Sequence, residues 1–289
     1  MKVKLKKAKK TIKAFFNNFY KVLRRRDMVI LPGNLSFYFV LAIIPVLSII
    51  SYGASILNLS VDYVYDFISK LFSSEIANLI LGVDLSSNAG IQFFVTLIFG
   101  LYIASNGADA MIIASNTIYG VDNKSWLKRR IKSLGMTMLI VILLLFMLIV
   151  PVFGNTIISL IEEVNINSHI TAKIVSIFEL VNGPLSWLFM FAIIRIIYIV
   201  APDKKPKNRV INYGAIFTTI GWIIGTALYS AYVNNYGSYV ALYGGLANIV
   251  VLMIWVYFLS YIFTIGIALN SQEDENNLLK TGTIKINKK

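Results

Sequence analysis

The sequence predicts an all-α protein, a polytopic membrane bundle of six transmembrane helices with amphipathic helices at the interfaces. Three observations carry that class. Of the 289 residues, 57% are hydrophobic and 14% charged, whereas a soluble domain runs near 45–50% apolar and about 25% charged. A water-soluble fold of this size has no core large enough to hide such a surplus. Six apolar segments each have the roughly 20 residues a helix needs to cross about 30 Å of hydrocarbon. The 27 Lys and Arg residues, against 14 Asp and Glu for a net charge of +13, gather in alternate connections.

The chain opens on a basic arm, residues 1–27, with eleven Lys/Arg that include Arg24-Arg25-Arg26. This stretch is too long and too charged for the n-region of a signal peptide, and the apolar run after it lacks a small-residue cleavage site, so that run reads as an uncleaved span. Ile12, Phe15, Phe16, Phe19 and Leu23 recur at helical spacing with lysines opposite. That pattern predicts an interfacial helix on anionic inner-leaflet lipids, with a floppy basic tail as the alternative.

The transmembrane domain is expected over 28–270, with spans near 29–52, 91–119, 133–160, 180–200, 210–233 and 241–270. Backbone groups in lipid must be satisfied within the segment, so the spans are helices, and none shows the period-2 alternation of a barrel strand. The 53–90 connection carries an amphipathic segment at 56–82, with Val61, Val64, Phe67, Ile68, Leu71 and Phe72 on one face; it reads as a cap or a lid. The 120–132 connection holds Lys124, Lys128, Arg129, Arg130 and Lys132, and the 201–209 connection holds Lys204, Lys205, Lys207 and Arg209. With the arm and the tail at 271–289 they account for 24 of the 27 basic residues, whereas the connections between them hold only Lys70 and Lys173. The positive-inside rule then places both termini in the cytoplasm. It also explains the net charge without nucleic acid.

The absence of cysteine and the single histidine, His169, exclude disulfides, thiolate metal sites and multi-histidine centres, so neither cofactor nor metal is expected. Ionisable groups inside spans tend to line cavities or to pair. Two stand out, Asp109 in the second span and Arg195 in the fourth, and they are expected to form an ion pair or two ends of one polar network. The alternative for Arg195 is snorkelling to the inner headgroups. Tyr102, Ser105, Asn106, Asp109 and Asn116 form a polar stripe on one helical face, and Asn34, Tyr38, Pro45 and Ser48 share a face of the first span. Pro45 and Pro151 each remove a backbone hydrogen bond mid-span and predict helix kinks. The candidate intramembrane site is therefore Asp109, Arg195, Asn106, Ser105, Tyr102, Asn34 and Tyr38. Gly214, Gly221 and Gly225 align along the fifth span and predict close approach of another helix.

No arrangement of catalytic groups is visible. An intramembrane protease needs a Ser/His or paired-Asp set, and the acids predicted to be cytoplasmic (Asp27, Asp122, Asp203, Glu273, Asp274 and Glu275) are scattered over loops and the tail. The leading reading is a transporter or flippase-like protein moving a lipid or other amphipathic substrate through a polar crevice. The other reading is a structural or regulatory membrane protein whose polar residues serve as interhelical glue and whose loops bind a partner.

Several motifs together resemble a known family. Gly33-Asn34-Leu35-Ser36-Phe37-Tyr38 leading to Pro45, Asn116-Thr117-Ile118-Tyr119-Gly120 followed by Trp126 and Arg129-Arg130, Pro202 with Gly214, and Tyr243-Gly244-Gly245-Leu246-Ala247 through Trp255-Val256-Tyr257 to Gly266 and Asn270 follow one another in the chain. In order and spacing they are similar to the YihY/BrkB membrane proteins, long catalogued as ribonuclease BN. The resemblance implies an inner-membrane protein of about six spans, with a virulence and serum-resistance label on one branch and an inferred transport role. It implies no nuclease site that the residues themselves display.

Overall fold

The computed structural model describes residues 19–56, 65, 91–163, 168–204, 206, 208–235 and 245–280. Six long helices follow one another: α1 (Asp27–Ile56), α2 (Ile91–Tyr119), α3 (Trp126–Glu163), α4 (Ser168–Val200), α5 (Asn208–Asn235) and α6 (Gly245–Lys280). No strand occurs among the described residues. Three helices hold stretches long and apolar enough to cross a membrane, Ile98–Tyr119, Val210–Tyr232 and Val250–Glu275, and shorter apolar stretches lie at Asp27–Ile43 and Pro184–Val200. The amphipathic segment expected over 56–82 lies, apart from Ile56 and Tyr65, outside the described residues, as do residues 1–18.

The helix ends differ from the expected span ends in an instructive way. α3 begins at Trp126 and takes in Lys128, Arg129, Arg130 and Lys132, which the sequence places in a loop. α4 begins at Ser168, and α6 runs on to Lys280 through residues read as tail. Hydropathy marks where a bilayer would end, whereas Lys, Arg, Glu and Leu propagate a helix well beyond that point. The helices run on through Pro45 and Pro151, and Pro45 lies 3.7 Å from where a Cβ on Gly100 would stand.

The described residues fall into two compact units. One draws on the described residues within 19–38, 110–129 and 194–280, the other on those within 39–109 and 130–193. The first is organised by the α5–α6 seam. Contacts pair residue 214 with 266 and 270, 221 with 262 and 225 with 258, so the two helices run antiparallel. Small residues make this possible. A Cβ on Gly214 would run into the Gly266 carbonyl and the Asn270 amide, and one on Gly221 would stand 2.7 Å from Ile262. The Gly214 N–H donates to Asn270 Oδ1 (2.7 Å) and the Trp222 indole N–H to the Leu259 carbonyl (3.0 Å). The close approach expected of Gly214, Gly221 and Gly225 is thus an α5–α6 contact.

Tyr198 of α4 enters the same seam. Its hydroxyl donates to the Phe263 carbonyl (2.8 Å), which leaves it to accept from the Thr218 hydroxyl (2.7 Å), and its ring meets Phe263 at 4.9 Å. Gly266 admits it, because a Cβ there would strike both the Tyr198 and Thr218 hydroxyls. The outward face of α5 is apolar as well: Tyr213, Ile216, Ile220, Ile224 and Leu228 are all exposed. A helix apolar all round suits lipid rather than water. At the near end of the chain, a helical turn at 19–23 packs rather than floats, with Phe19 against Phe217 at 5.8 Å and Val22 buried.

Candidate functional site

Two polar arrangements are built on α2. The first, in the unit containing α5 and α6, closes the end of that helix. Gly120 adopts φ +64°, and the Val121 N–H reaches back to the Asn116 carbonyl while the Gly120 N–H reaches that of Thr117. This is the Schellman pattern, in which a residue without a Cβ takes the left-handed conformation. It leaves the Ile118 carbonyl without an intrahelical partner. Arg25 Nη2 (3.0 Å) and the Ser271 hydroxyl (3.2 Å) both donate to it.

Asn116, wholly buried, is the centre of this clasp. Its Oδ1 accepts the Asp203 N–H (2.8 Å), and its Nδ2 donates to Asp203 Oδ2 (2.9 Å) and Asn123 Oδ1 (2.9 Å). The loop after α2 therefore doubles back along its last turns. Lys124 Nζ pairs with Asp203 Oδ1 at 3.1 Å, and Lys204 Nζ with Asp274 Oδ2 at 2.8 Å; both carboxylate side chains are 4% exposed. Lys204 also lies over the Tyr119 ring at 5.7 Å, and Arg25 pairs with Asp27 at 3.2 Å. Breaking a buried ion pair by removing one partner costs about 3–5 kcal/mol in a dry site. The exposed lysines lower that figure here, but the pattern remains one of carboxylates held by both cation and amide. Among the described residues no three His, Cys, Asp or Glu side chains gather as metal ligands.

The second arrangement lies wholly in the other unit. Arg130, the fifth residue of α3, donates from Nη1 to Asn106 Oδ1 (2.8 Å) and from Nη2 to the Tyr102 carbonyl (2.9 Å). Its guanidinium carbon sits 3.8 Å above the Tyr102 ring. Asn106 is the ninth residue of the apolar stretch Ile98–Tyr119, close to its middle. Arg130 is therefore a helical residue with partners on α2, although it also belongs to the 120–132 connection between the expected spans. A guanidinium held against an apolar stretch gives up part of its hydration. Two charge-assisted hydrogen bonds and a cation–π contact of about 0.5–2 kcal/mol offset much of it. The offset is incomplete, because Arg130 Nε is buried without an acceptor.

The seven residues expected to form the crevice come from both units. Tyr102, Ser105, Asn106 and Asp109 belong to the unit with Arg130; Asn34, Tyr38 and Arg195 belong to the other. Arg130 joins Tyr102 to Asn106, and the buried Ser105 hydroxyl donates to the Tyr102 carbonyl (2.7 Å). Asp109 is half-buried one turn further along α2. Arg195 is half-buried and donates from Nε to Asn212 Oδ1 on α5 (2.9 Å). Asn34 is exposed on α1, and Tyr38 meets Phe37 edge-on at 5.4 Å. Sequence reasoning missed Arg130 as a site residue because it sits within a basic run. It missed the grip of Asn116 on Asp203 because 87 residues separate the two.

Comparison with known proteins agrees with this architecture. The family model described as virulence factor BrkB matches residues 19–285. The ribonuclease-like protein YfkH of Bacillus subtilis (strain 168) is 31% identical over 244 residues, 83% of this chain and 87% of that protein. A UPF0761 membrane protein of Haemophilus influenzae (strain 86-028NP) is 32% identical over 89 residues, about a third of each chain (31% and 33%). Another from Idiomarina loihiensis is 30% identical over 95 residues, 33% of each. No solved structure matches. A family match over almost the whole chain, with relatives that are themselves membrane proteins, means that this protein belongs to the virulence factor BrkB family.

Proposed function

We propose that the protein is a six-span bacterial inner-membrane transporter or flippase-like protein, with both termini in the cytoplasm, acting on a lipid or other amphipathic substrate. The observation that carries the reading is Arg130, lodged against Asn106 and Tyr102 near the middle of an apolar stretch. Ionisable groups at such positions mark pathways far more often than they serve packing. Supporting it, α1 to α6 each take in one of the six apolar segments, the last from Gly245 onward, and the basic residues alternate between connections. The basic arm then rests on anionic inner-leaflet lipids. The reading assigns no catalytic step: Asp27, Asp203 and Asp274 are each engaged by a cation.

The test is a lipid-translocation assay with purified protein in liposomes carrying fluorescent phospholipids, beside Asp109→Asn and empty vesicles. Translocation above the empty vesicles, lost in the variant at normal expression, is the expected result. No translocation across several lipid classes overturns the reading and favours a structural or partner-binding role.

A further inference from the structure

We infer that the Arg130 seat binds the oxyanion headgroup of an anionic amphiphile, a phosphate ester carrying acyl chains. The inference deepens the transport reading, shares its site and rests on that reading. A guanidinium has five N–H donors. Among the described residues two are used, by Asn106 Oδ1 and the Tyr102 carbonyl. The Nε–H is buried and finds no acceptor. No carboxylate among the described residues pairs with Arg130. The described residues thus orient a cation with neutral groups and supply it no counter-charge.

The surroundings select what that is. Tyr102 is 51% exposed although its ring lies under the guanidinium, so the cation sits at a surface rather than in a sealed core. The residues nearest them along the two helices are apolar and exposed: Ile98, Phe99 and Ile103 on α2, and Ile131 on α3. A free anion gains nothing from such a border. An anion tethered to acyl chains satisfies the cation and covers the apolar side chains at once. The stacked ring and the Asn106 bond hold the guanidinium plane fixed, which suits the fork geometry that arginine offers to phosphate and that lysine lacks.

The experiment uses the full chain purified in neutral detergent, with binding read by native mass spectrometry and by quenching of a fluorescent lipid analogue. The probes are dioctanoyl phosphatidic acid, dioctanoyl phosphatidylcholine and inorganic phosphate. Phosphatidic acid is expected to bind at least tenfold more tightly than either of the others. Arg130→Gln is expected to lose that preference, and Arg130→Lys to lose several-fold affinity while keeping the charge and the fold. Lys128→Gln, a matched loss of charge elsewhere on α3, leaves the affinity unchanged. Equal binding by wild type and Arg130→Gln overturns the inference, and so does phosphatidylcholine binding as tightly as phosphatidic acid. Inorganic phosphate binding as tightly as the lipid overturns the amphiphile. A chain that binds phosphatidic acid through Arg130 yet translocates nothing removes the transport reading alone. A chain that translocates with binding unchanged in Arg130→Gln removes this inference alone.

Discussion

The clasp at the end of α2 and the Arg130 seat on the same helix use the same kinds of side chain in opposite ways. In the clasp, the buried carboxylates of Asp203 and Asp274 each face a lysine, and Asp203 is further gripped by the amide of Asn116. In the seat, a cation is oriented by a neutral amide, a carbonyl and an aromatic ring, with a donor left over. The first arrangement is closed: every charge has a counter-charge from the chain, and nothing is left for a ligand. The second is open. Saturated polar groups fasten a fold, whereas oriented but unneutralised ones are available for binding.

The comparison breaks if the clasp proves dispensable. Asn116→Leu removes three hydrogen bonds and leaves the Asp203 carboxylate short of a buried donor. Loss of bonds to a charged group, plus the stranded acceptor, predicts a destabilisation of about 3–5 kcal/mol. Thermal unfolding in detergent and the yield of assembled protein both read it. Gly214→Ala is the apolar counterpart: its Cβ meets the backbone of α6 at Gly266, which cannot rotate away. Overpacking of that kind predicts about 2–3 kcal/mol. Gly225→Ala, facing the Phe258 ring at 3.0 Å, is expected to cost clearly less, because a side chain can turn. Lys204→Met leaves Asp274 without its cation, and since the lysine is itself 38% exposed the expected loss is about 1–2 kcal/mol. Arg130→Gln is the smallest. It gives up two hydrogen bonds but also removes an unneutralised cation from an apolar stretch, so stability is expected to change by under about 1 kcal/mol while lipid binding is lost. A large loss of stability there, equal to that of Asn116→Leu, would erase the distinction between the two regions.

Much of the fold is legible in the residues, and the reasons it is not fully legible are physical. Among the described residues the six apolar segments fall on helices, since length and hydropathy are local properties, and residues 241–244 lie outside them. The glycine line on α5 correctly points to a close neighbour, because only small residues let backbones touch. Helix ends at Trp126, Ser168 and Lys280 escape notice, because a helix ends where its hydrogen bonds stop and not where lipid does. The site is harder. Tyr102 and Asn106 stand out by their spacing, but a count of positive charges treats Arg130 like its neighbours Lys128 and Arg129. Only the contact with α2 tells them apart. Asn116 is visible as a polar residue in an apolar run, yet its partners arrive from the loop beyond α4, which no local pattern announces.

The carbonyl of Ile118 carries a consequence for the order in which the chain is made. Its two donors come from Arg25, which precedes α2 in the chain, and Ser271 of α6, which follows it. While the ribosome is still producing the intervening helices, this acceptor is served from one side only. The end of α2 therefore reaches its final bonding only after α6 has been delivered to the membrane. Biogenesis passes through a stage in which the first helices are threaded but not yet locked, and the last helix acts as the bolt.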